Sequence, residues 1–231
     1  MQDMLISIIT VCLNAAETIE TTIRSVLGQT YKNTEYIVID GGSTDGTLQI
    51  IEKYRDYIST LVSGQDKGLY DAMNKGIDLA HGDYIGIINA DDWYEKDAVE
   101  HVVQISKTVS EEIGVISGRV RMVDGKETFL SGKKNMNQIW TEMPVDHPAT
   151  FIRKSIYGRY GKYDTYYKVS ADYELVFRLF ANGIKFYISD KILANYRIGG
   201  ISARRKDELF EEDVEILGRY QKYCAEPDRV Q

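Results

Sequence analysis

The chain has 231 residues, 43% hydrophobic and 27% charged, an ordinary soluble composition that suffices for one domain with a substantial core. Its formal net charge of −7 argues against a nucleic-acid binder, which carries a basic stripe, yet it leaves room for a nucleotide whose diphosphate a metal ion neutralises. No window reaches the roughly 18–20 apolar residues of a membrane span, and Met1 to Val11 lacks the basic start and long apolar stretch of a signal peptide.

Leu5 to Val11 is a short apolar run rich in β-branched residues, the pattern of a strand buried on both faces in a parallel sheet. Ile19, Ile23, Val26 and Leu27 follow at helical spacing, and Gly28 offers a stop. Glu35 to Asp40 reads as a second buried strand ending in a carboxylate. The turn Gly41 to Gly46 leads into a helix carrying Leu48, Ile51 and Tyr54. Thr60 to Ser63 is a third short strand, and Leu69 to Ala80 a helix broken by Gly82. Tyr84 to Asn89 is a fourth strand that runs into Ala90-Asp91-Asp92-Trp93, with a helix near Lys96 to Thr108 behind it. This alternation predicts a right-handed, mostly parallel sheet with helices on both faces. Ligands of such sheets bind beyond the carboxyl ends of the strands, where Asp40, Asp66, Asp91 and Asp92 all fall.

The second half is less regular. Val115 to Val123 and Thr128 to Leu130 read as strands of a meander, and Thr150 to Ile152 as another. Ala171 to Ala181 is a helix with Leu175, Val176, Leu179 and Phe180; Asn182-Gly183 ends it, and a strand starts at Lys185 to Ser189. A last helix spans about Lys206 to Tyr223. Cys12, in an apolar run, reads as a buried free thiol. With Cys224 far away and no metal-ligand spacing, a reducing cytoplasm is expected.

Several polar residues have two readings each. Adjacent carboxylates at Asp91 and Asp92 repel unless a cation or strong donors compensate, and Mg²⁺ or Mn²⁺ with its oxygen preference suits them; the alternative is a solvated turn or helix N-cap. Asp40 can accept a base N–H, uracil N3–H being a natural partner, or it can cap its own turn through Gly42 or Ser43. Asp172 opens a helix, whose dipole favours the ionised form a general base needs and equally favours a plain helix start. His147 before Pro148 is suited to positioning an acceptor or reaching a metal, or to a structural role. Tyr157, Tyr160, Tyr163, Tyr166 and Tyr167 offer aromatic faces for sugar C–H surfaces, or a half-buried loop. Arg204-Arg205-Lys206 can fold over a diphosphate, touch anionic lipid, or simply begin a helix.

Linked segments carry a resemblance. Ser7 to Asn14, Ser25 to Tyr31, Ile39 to Thr47, Asp66 to Gly76 and Asn89 to Trp93 resemble, in order, glycosyltransferase family 2 with its GT-A fold. The branch is the one that builds bacterial O-antigen, capsule and other surface polysaccharides, and the likeness resumes at His147 to Arg153 and Ser170 to Leu179. It implies an α/β fold of GT-A type, with a nucleotide-sugar half (1–110), an acceptor and base half (111–205) and a C-terminal helix and tail (206–231). It implies nucleotide contacts at Val11, Leu13, Asp40, Asp66, Asn74 and Asp91, and metal ligation by Asp91 and Asp92. Asp172 matches the catalytic base, and His147 and Tyr163 are expected on the acceptor side. Asn89 stands where the family usually has its first aspartate, Ala171 where glutamate is common, and Val11 and Leu13 where Pro and Tyr are frequent, which weakens stacking on the base.

The implied activity is metal-dependent, inverting transfer from a UDP-sugar, with Mn²⁺ or Mg²⁺, to a glycan or lipid-linked oligosaccharide. The implied location is cytoplasmic, with peripheral membrane contact and no nucleic acid. A nucleotidyltransferase making NDP-sugars would need a Gly-rich basic loop after the first strand, which Val11 to Ala16 is not. A non-catalytic nucleotide-binding subunit would not need Asp91, Asp92 and Asp172 together. A retaining transferase would differ in product stereochemistry.

Overall fold

The structure is a computed structural model that describes residues 4–221; Tyr223 and Cys224 lie outside the described residues. The elements in chain order are β1 (Ile6–Cys12), α1 (Ile19–Leu27), β2 (Thr34–Asp40), α2 (Thr47–Glu52), β3 (Thr60–Ser63), α3 (Leu69–Leu79), β4 (Tyr84–Asn89), β5 (Trp93–Tyr94) and α4 (Ala98–Thr108). The second half adds β6 (Ile113–Asp124), β7 (Glu127–Leu130), β8 (Thr150–Arg153), α5 (Lys154–Tyr160), α6 (Ala171–Ala181), β9 (Lys185–Arg197), α7 (Ile201–Arg204) and α8 (Lys206–Tyr220).

One sheet holds all nine strands, in the order β3-β2-β1-β4-β8-β6-β9-β5, with β7 paired to β6. Strand β1 is buried along its whole length because it has a helix layer on each face. Ile9 and Val11 point into one apolar cluster with Met73 and Ile77 of α3 and Leu175 and Leu179 of α6. Ile6 and Ile8 point into the other, with Ile19, Ile23 and Val26 of α1 and Val99, Val102 and Val103 of α4. That is why the run is apolar throughout rather than alternating.

The pairs β1–β2, β1–β4 and β2–β3 are parallel, as the strand–helix alternation predicts. The second half departs from that pattern. Strand β8 runs antiparallel to both β4 and β6, which interrupts the parallel run before β9 pairs parallel to β6. The strand expected to start at Lys185 to Ser189 runs on through Arg197 as β9, paired parallel along β6 and, at Ala194 and Asn195, with β5 on its other edge. The aromatic segment expected as a loop begins instead within α5, and Gly161 at φ +88° ends that helix.

Two glycines test this packing. Gly86 pairs with Phe151 across β4 and β8, and a β-carbon there would sit 2.4 Å from the Phe151 ring. Gly158 lies within α5 with nothing within 4 Å of its added β-carbon. Gly86→Ala is expected to lose about 1–3 kcal/mol through overpacking. Gly158→Ala is expected to gain roughly 0.5–1 kcal/mol from a stiffer unfolded chain. Urea denaturation of both variants measures the contrast, and equal stabilities would refute the packing at Gly86.

Candidate active site

The parallel register brings Cys12 beside Asp40 and Val11 beside Asn89. The carboxyl ends of β1, β2 and β4 therefore open at one level, onto a cleft of about 790 Å³. That volume is within the roughly 300–1,000 Å³ of small-molecule sites. The loop after β1 forms one lip. Its shape is fixed by the next loop: Asn14 N–H donates to Ser43 Oγ at 2.8 Å, Ala15 N–H to Thr47 Oγ1 at 2.7 Å and Ala16 N–H to Asp45 Oδ2 at 3.0 Å. Asn14, at φ +51°, turns the chain there. Leu13 is left 61% exposed on the cleft side, an apolar face with no partner of its own.

The four acids at the strand ends meet different fates. Asp40 is buried and spent on its own surroundings: it accepts from Ser63 Oγ at 2.6 Å, from Ser43 N at 3.2 Å and from Gly42 N at 3.3 Å. Asp66, from the loop after β3, lines the cleft and pairs with Lys75 of α3. Asp91 also lines the cleft. Burial pushes its carboxyl above the usual range, and Arg197 and Arg204 pull it partly back. Asp92 is buried beneath it. Its Oδ1 accepts the Arg197 backbone N–H at 2.9 Å, while its Oδ2 has no partner. Burial first, and then the neighbouring Asp91 charge, hold its carboxyl well above the usual range.

Strand β9 supplies the roof. Arg197 lies over the Trp93 ring at 5.4 Å and donates from Nε to the Asp91 carbonyl at 3.3 Å. The segment after it crosses the Asp91 carboxylate: a β-carbon on Gly200 would lie 3.7 Å from Asp91 Oδ2. Arg204 follows on the same wall.

The opposite wall carries Asp172 in the first turn of α6. Tyr70 of α3 reaches it from below, its hydroxyl 3.0 Å from Asp172 Oδ1 and 2.6 Å from the Val169 carbonyl. Behind this contact the Tyr70 and Tyr163 rings pack at 5.3 Å, and Tyr163 Oη meets His147 Nε2 at 3.2 Å. Asn74 fastens the same loop by a reciprocal pair: its amide donates to the Tyr163 carbonyl at 2.9 Å and accepts the Tyr163 N–H at 3.0 Å.

Of the residues expected from sequence, Val11, Leu13, Asp66, Asp91, His147 and Asp172 line the cleft. Asp40, Asn74, Asp92 and Tyr163 stand behind that lining and brace it. Sequence pattern assigns no role to Tyr70 or Arg197. Tyr70 lies inside the quoted Asp66 to Gly76 stretch, whereas nothing near Arg197 distinguishes it before β9 is seen to pair with β5.

Asn89 Oδ1 and Asp92 Oδ2 are both buried without a partner, and Asp91 presents a further oxygen to the cleft. This hard-oxygen set suits Mn²⁺ or Mg²⁺, which would favour the ionised forms that burial disfavours. Among the described residues, no three His, Cys, Asp or Glu side chains gather into a cage. Asp91, with Asp92 or Asn89 beneath it, would hold the ion, and substrate oxygens would complete its shell.

A family model described as Glycosyl transferase family 2 matches residues 7–180. A "PGL/p-HBAD biosynthesis glycosyltransferase" from Mycobacterium tuberculosis and another from Mycobacterium bovis are each 30% identical over 210 residues, covering 88% of this chain and 81% of the relative. Among solved structures, S. aureus TarS superposes with a TM-score of 0.76 at 20% identity, over 94% of this chain and 39% of that one. Its 1–349 form in complex with UDP superposes at 0.74 and 21% identity, covering 93% of this chain and 64% of that one. The mannosyltransferase PcManGT from Pyrobaculum calidifontis, in complex with GDP-Man and Mn²⁺, gives 0.66 at 18% identity, over 86% and 58% of the two chains. At these identities the structural likeness speaks for the fold.

Burial lowers the His147 imidazole below its ordinary value, and the Asp172 carboxylate partly raises it again. His147 is therefore expected to be neutral at pH 7. By NMR titration in chelator, its midpoint falls below that of an ordinary histidine, and Asp172→Asn lowers it further by removing the neighbouring charge. An unchanged midpoint in that variant would mean the two side chains do not sense each other.

Proposed function

The chain belongs to glycosyl transferase family 2 and has the GT-A fold. From that premise we propose that it is an inverting transferase moving a sugar from a UDP-sugar to a hydroxyl of a glycan acceptor. One observation carries the reading: Asp91 and Asp172, at the ends of a strand and a helix 81 residues apart in sequence (172 − 91), line the same cleft. An electrophile anchored at the first can be attacked by an oxygen deprotonated at the second.

The donor lies along the carboxyl ends of β1, β2 and β4. Its base packs on Leu13 and Val11 with Asp66 beside it, while Asp40 and Asn74 hold those walls in shape. UDP and UDP-GlcNAc in complexes of the structural neighbour TarS support a uridine nucleotide. The Mn²⁺ of PcManGT supports a divalent ion at Asp91 and Asp92. When bound, such an ion neutralises the diphosphate and eases its departure. Arg197 and Arg204 on the roof add positive charge on the leaving-group side.

Asp172 is the general base. Its carboxylate takes the proton of the acceptor hydroxyl as that oxygen bonds to the anomeric carbon, and the C–O bond to UDP breaks on the opposite face, inverting the centre. The Tyr70 hydroxyl, whose one proton is shared between the Val169 carbonyl at 2.6 Å and Asp172 Oδ1 at 3.0 Å, keeps the carboxylate aimed into the cleft. His147, half-buried, lines the acceptor side with Tyr163 behind it. The name of the mycobacterial relatives, PGL/p-HBAD biosynthesis glycosyltransferase, supports glycosyl transfer, and a lipid-linked acceptor in surface polysaccharide synthesis rests on the motif resemblance. No described helix is long and apolar enough to cross a membrane, and the surface proposed to meet such a substrate is Arg205, Lys206 and the aromatic segment at Tyr166.

Asp172→Asn is expected to keep UDP affinity while losing about 10²–10⁴-fold in turnover, the range of general-base assistance; transfer at the wild-type rate would remove Asp172 from that role. Chelator is expected to abolish UDP release from the donor, and Mn²⁺ or Mg²⁺ to restore it in the wild type but not in Asp91→Ala. Full turnover in chelator would take Asp91 out of metal binding.

A further inference from the structure

The loop that delivers Asp172 is held from a direction the reaction does not require. Lys168, Val169 and Ser170 donate three consecutive backbone N–H groups to the carboxylate of Glu212 on α8, at 2.6, 2.9 and 2.8 Å. Successive N–H groups turned inward form a nest for an anion. Here the anion is a side chain of the chain's own C-terminal helix. On the other edge of the same peptide run, Tyr70 donates to the Val169 carbonyl at 2.6 Å. The peptide planes just before Asp172 are therefore fixed on both edges, by Glu212 through their N–H groups and by Tyr70 through a carbonyl.

Helix α8 is itself anchored independently of this contact. Ile216 and Tyr220 are buried, the Tyr220 ring stacks on Phe177 of α6 at 4.7 Å, and Tyr220 Oη donates to the buried Glu174 at 2.8 Å. Losing Glu212 thus leaves the helix in place, with Tyr166 and Tyr167 still bonded to Glu215, and releases only the backbone of residues 168–170 on its N–H edge. Ser170, the N-cap of α6, makes no side-chain cap bond, so Glu212 is the group that sets the entry into the helix.

We propose that Glu212 is a positioning residue for the base, which makes α8 part of the transfer apparatus although it lies outside the cleft. The inference rests on Asp172 being the base. In the free loop Asp172 swings away from the acceptor oxygen, and misplacement by about 1 Å costs on the order of 10²-fold.

The test measures UDP release from UDP-GlcNAc with Mn²⁺ for wild type, Glu212→Gln, Glu212→Asp, Asp172→Asn and the Asp172→Asn/Glu212→Gln double variant, alongside circular dichroism and UDP affinity. Gln keeps one acceptor oxygen and puts an amide NH2 where the other carboxylate oxygen accepted, leaving at least one of the three N–H groups without its partner, so kcat is expected to fall roughly 10–100-fold while UDP affinity stays within about twofold. Asp keeps the charge on a shorter arm and recovers part of the loss. In the Asp172→Asn background the Glu212 change is expected to add nothing, because it acts through the residue already removed. A wild-type kcat in Glu212→Gln overturns the inference and leaves the base assignment standing. A further loss of the same factor in the double variant also overturns it, by showing a general structural role. If wild type releases no UDP, or Asp172→Asn matches it, the functional reading falls and this inference with it.

Discussion

Three parallel strands in register set the level at which everything else happens. Because β1 pairs with β2 and β4 so that Cys12 meets Asp40 and Val11 meets Asn89, their polar ends arrive at one rim. A slip of one residue would turn every side chain to the other face. The two apolar layers forbid that slip, since Ile9 and Val11 belong to one and Ile6 and Ile8 to the other. The core thereby fixes the position of the cleft, and the acids follow from it.

Concentrating carboxylates at one rim carries an electrostatic cost that the protein meets unevenly. Asp40 is compensated by two backbone N–H groups and a serine hydroxyl, and Asp66 by Lys75. Asp92 is half compensated, through the Arg197 N–H alone. Buried charge without full compensation shifts toward its neutral form, as the raised Asp91 and Asp92 carboxyls do. The protein thus stabilises Asp40 and Asp66 and leaves the pair at the end of β4 with uncompensated oxygens, where the proposed cation would sit. In the proposed reading, a chain of net charge −7 would attract an anionic donor locally, through that cation and through Arg197 and Arg204 on the roof.

The opposite wall is built by hydrogen bonds between distant pieces of chain rather than by strand register. Asn74 grips the backbone of Tyr163, Tyr70 grips Val169 and Asp172, and Glu212 grips residues 168–170. Two helices of the two halves, α3 and α8, therefore meet at the loop leading into α6. The carboxylate proposed as the base is placed by side chains of α3 and α8 as well as by its own helix, which is how a residue at a loop–helix junction attains the precision of a rigid element.

The sequence by itself determined the parallel half. Buried β-branched runs ending in acids, separated by amphipathic helices, leave little choice of topology, and the α6 segment begins and ends where its pattern says. It also marked Asp66, Asp91, His147 and Asp172 as residues of one cleft. The tertiary structure alone decided how acids of equal chemistry divide their work, because Asp40 differs from Asp66, and Asp92 from Asp91, only in which neighbours surround them. It alone decided the length of β9, whose residues past Ser189 have no strong strand pattern and are ordered by pairing with β6 and β5. Tyr70, Arg197 and Glu212 were illegible for the same reason. A hydroxyl, a guanidinium and a carboxylate reveal nothing in local spacing when their partners lie 102, 106 and 42–44 residues away. Local physics writes the strands and helices; contacts across the chain write the site.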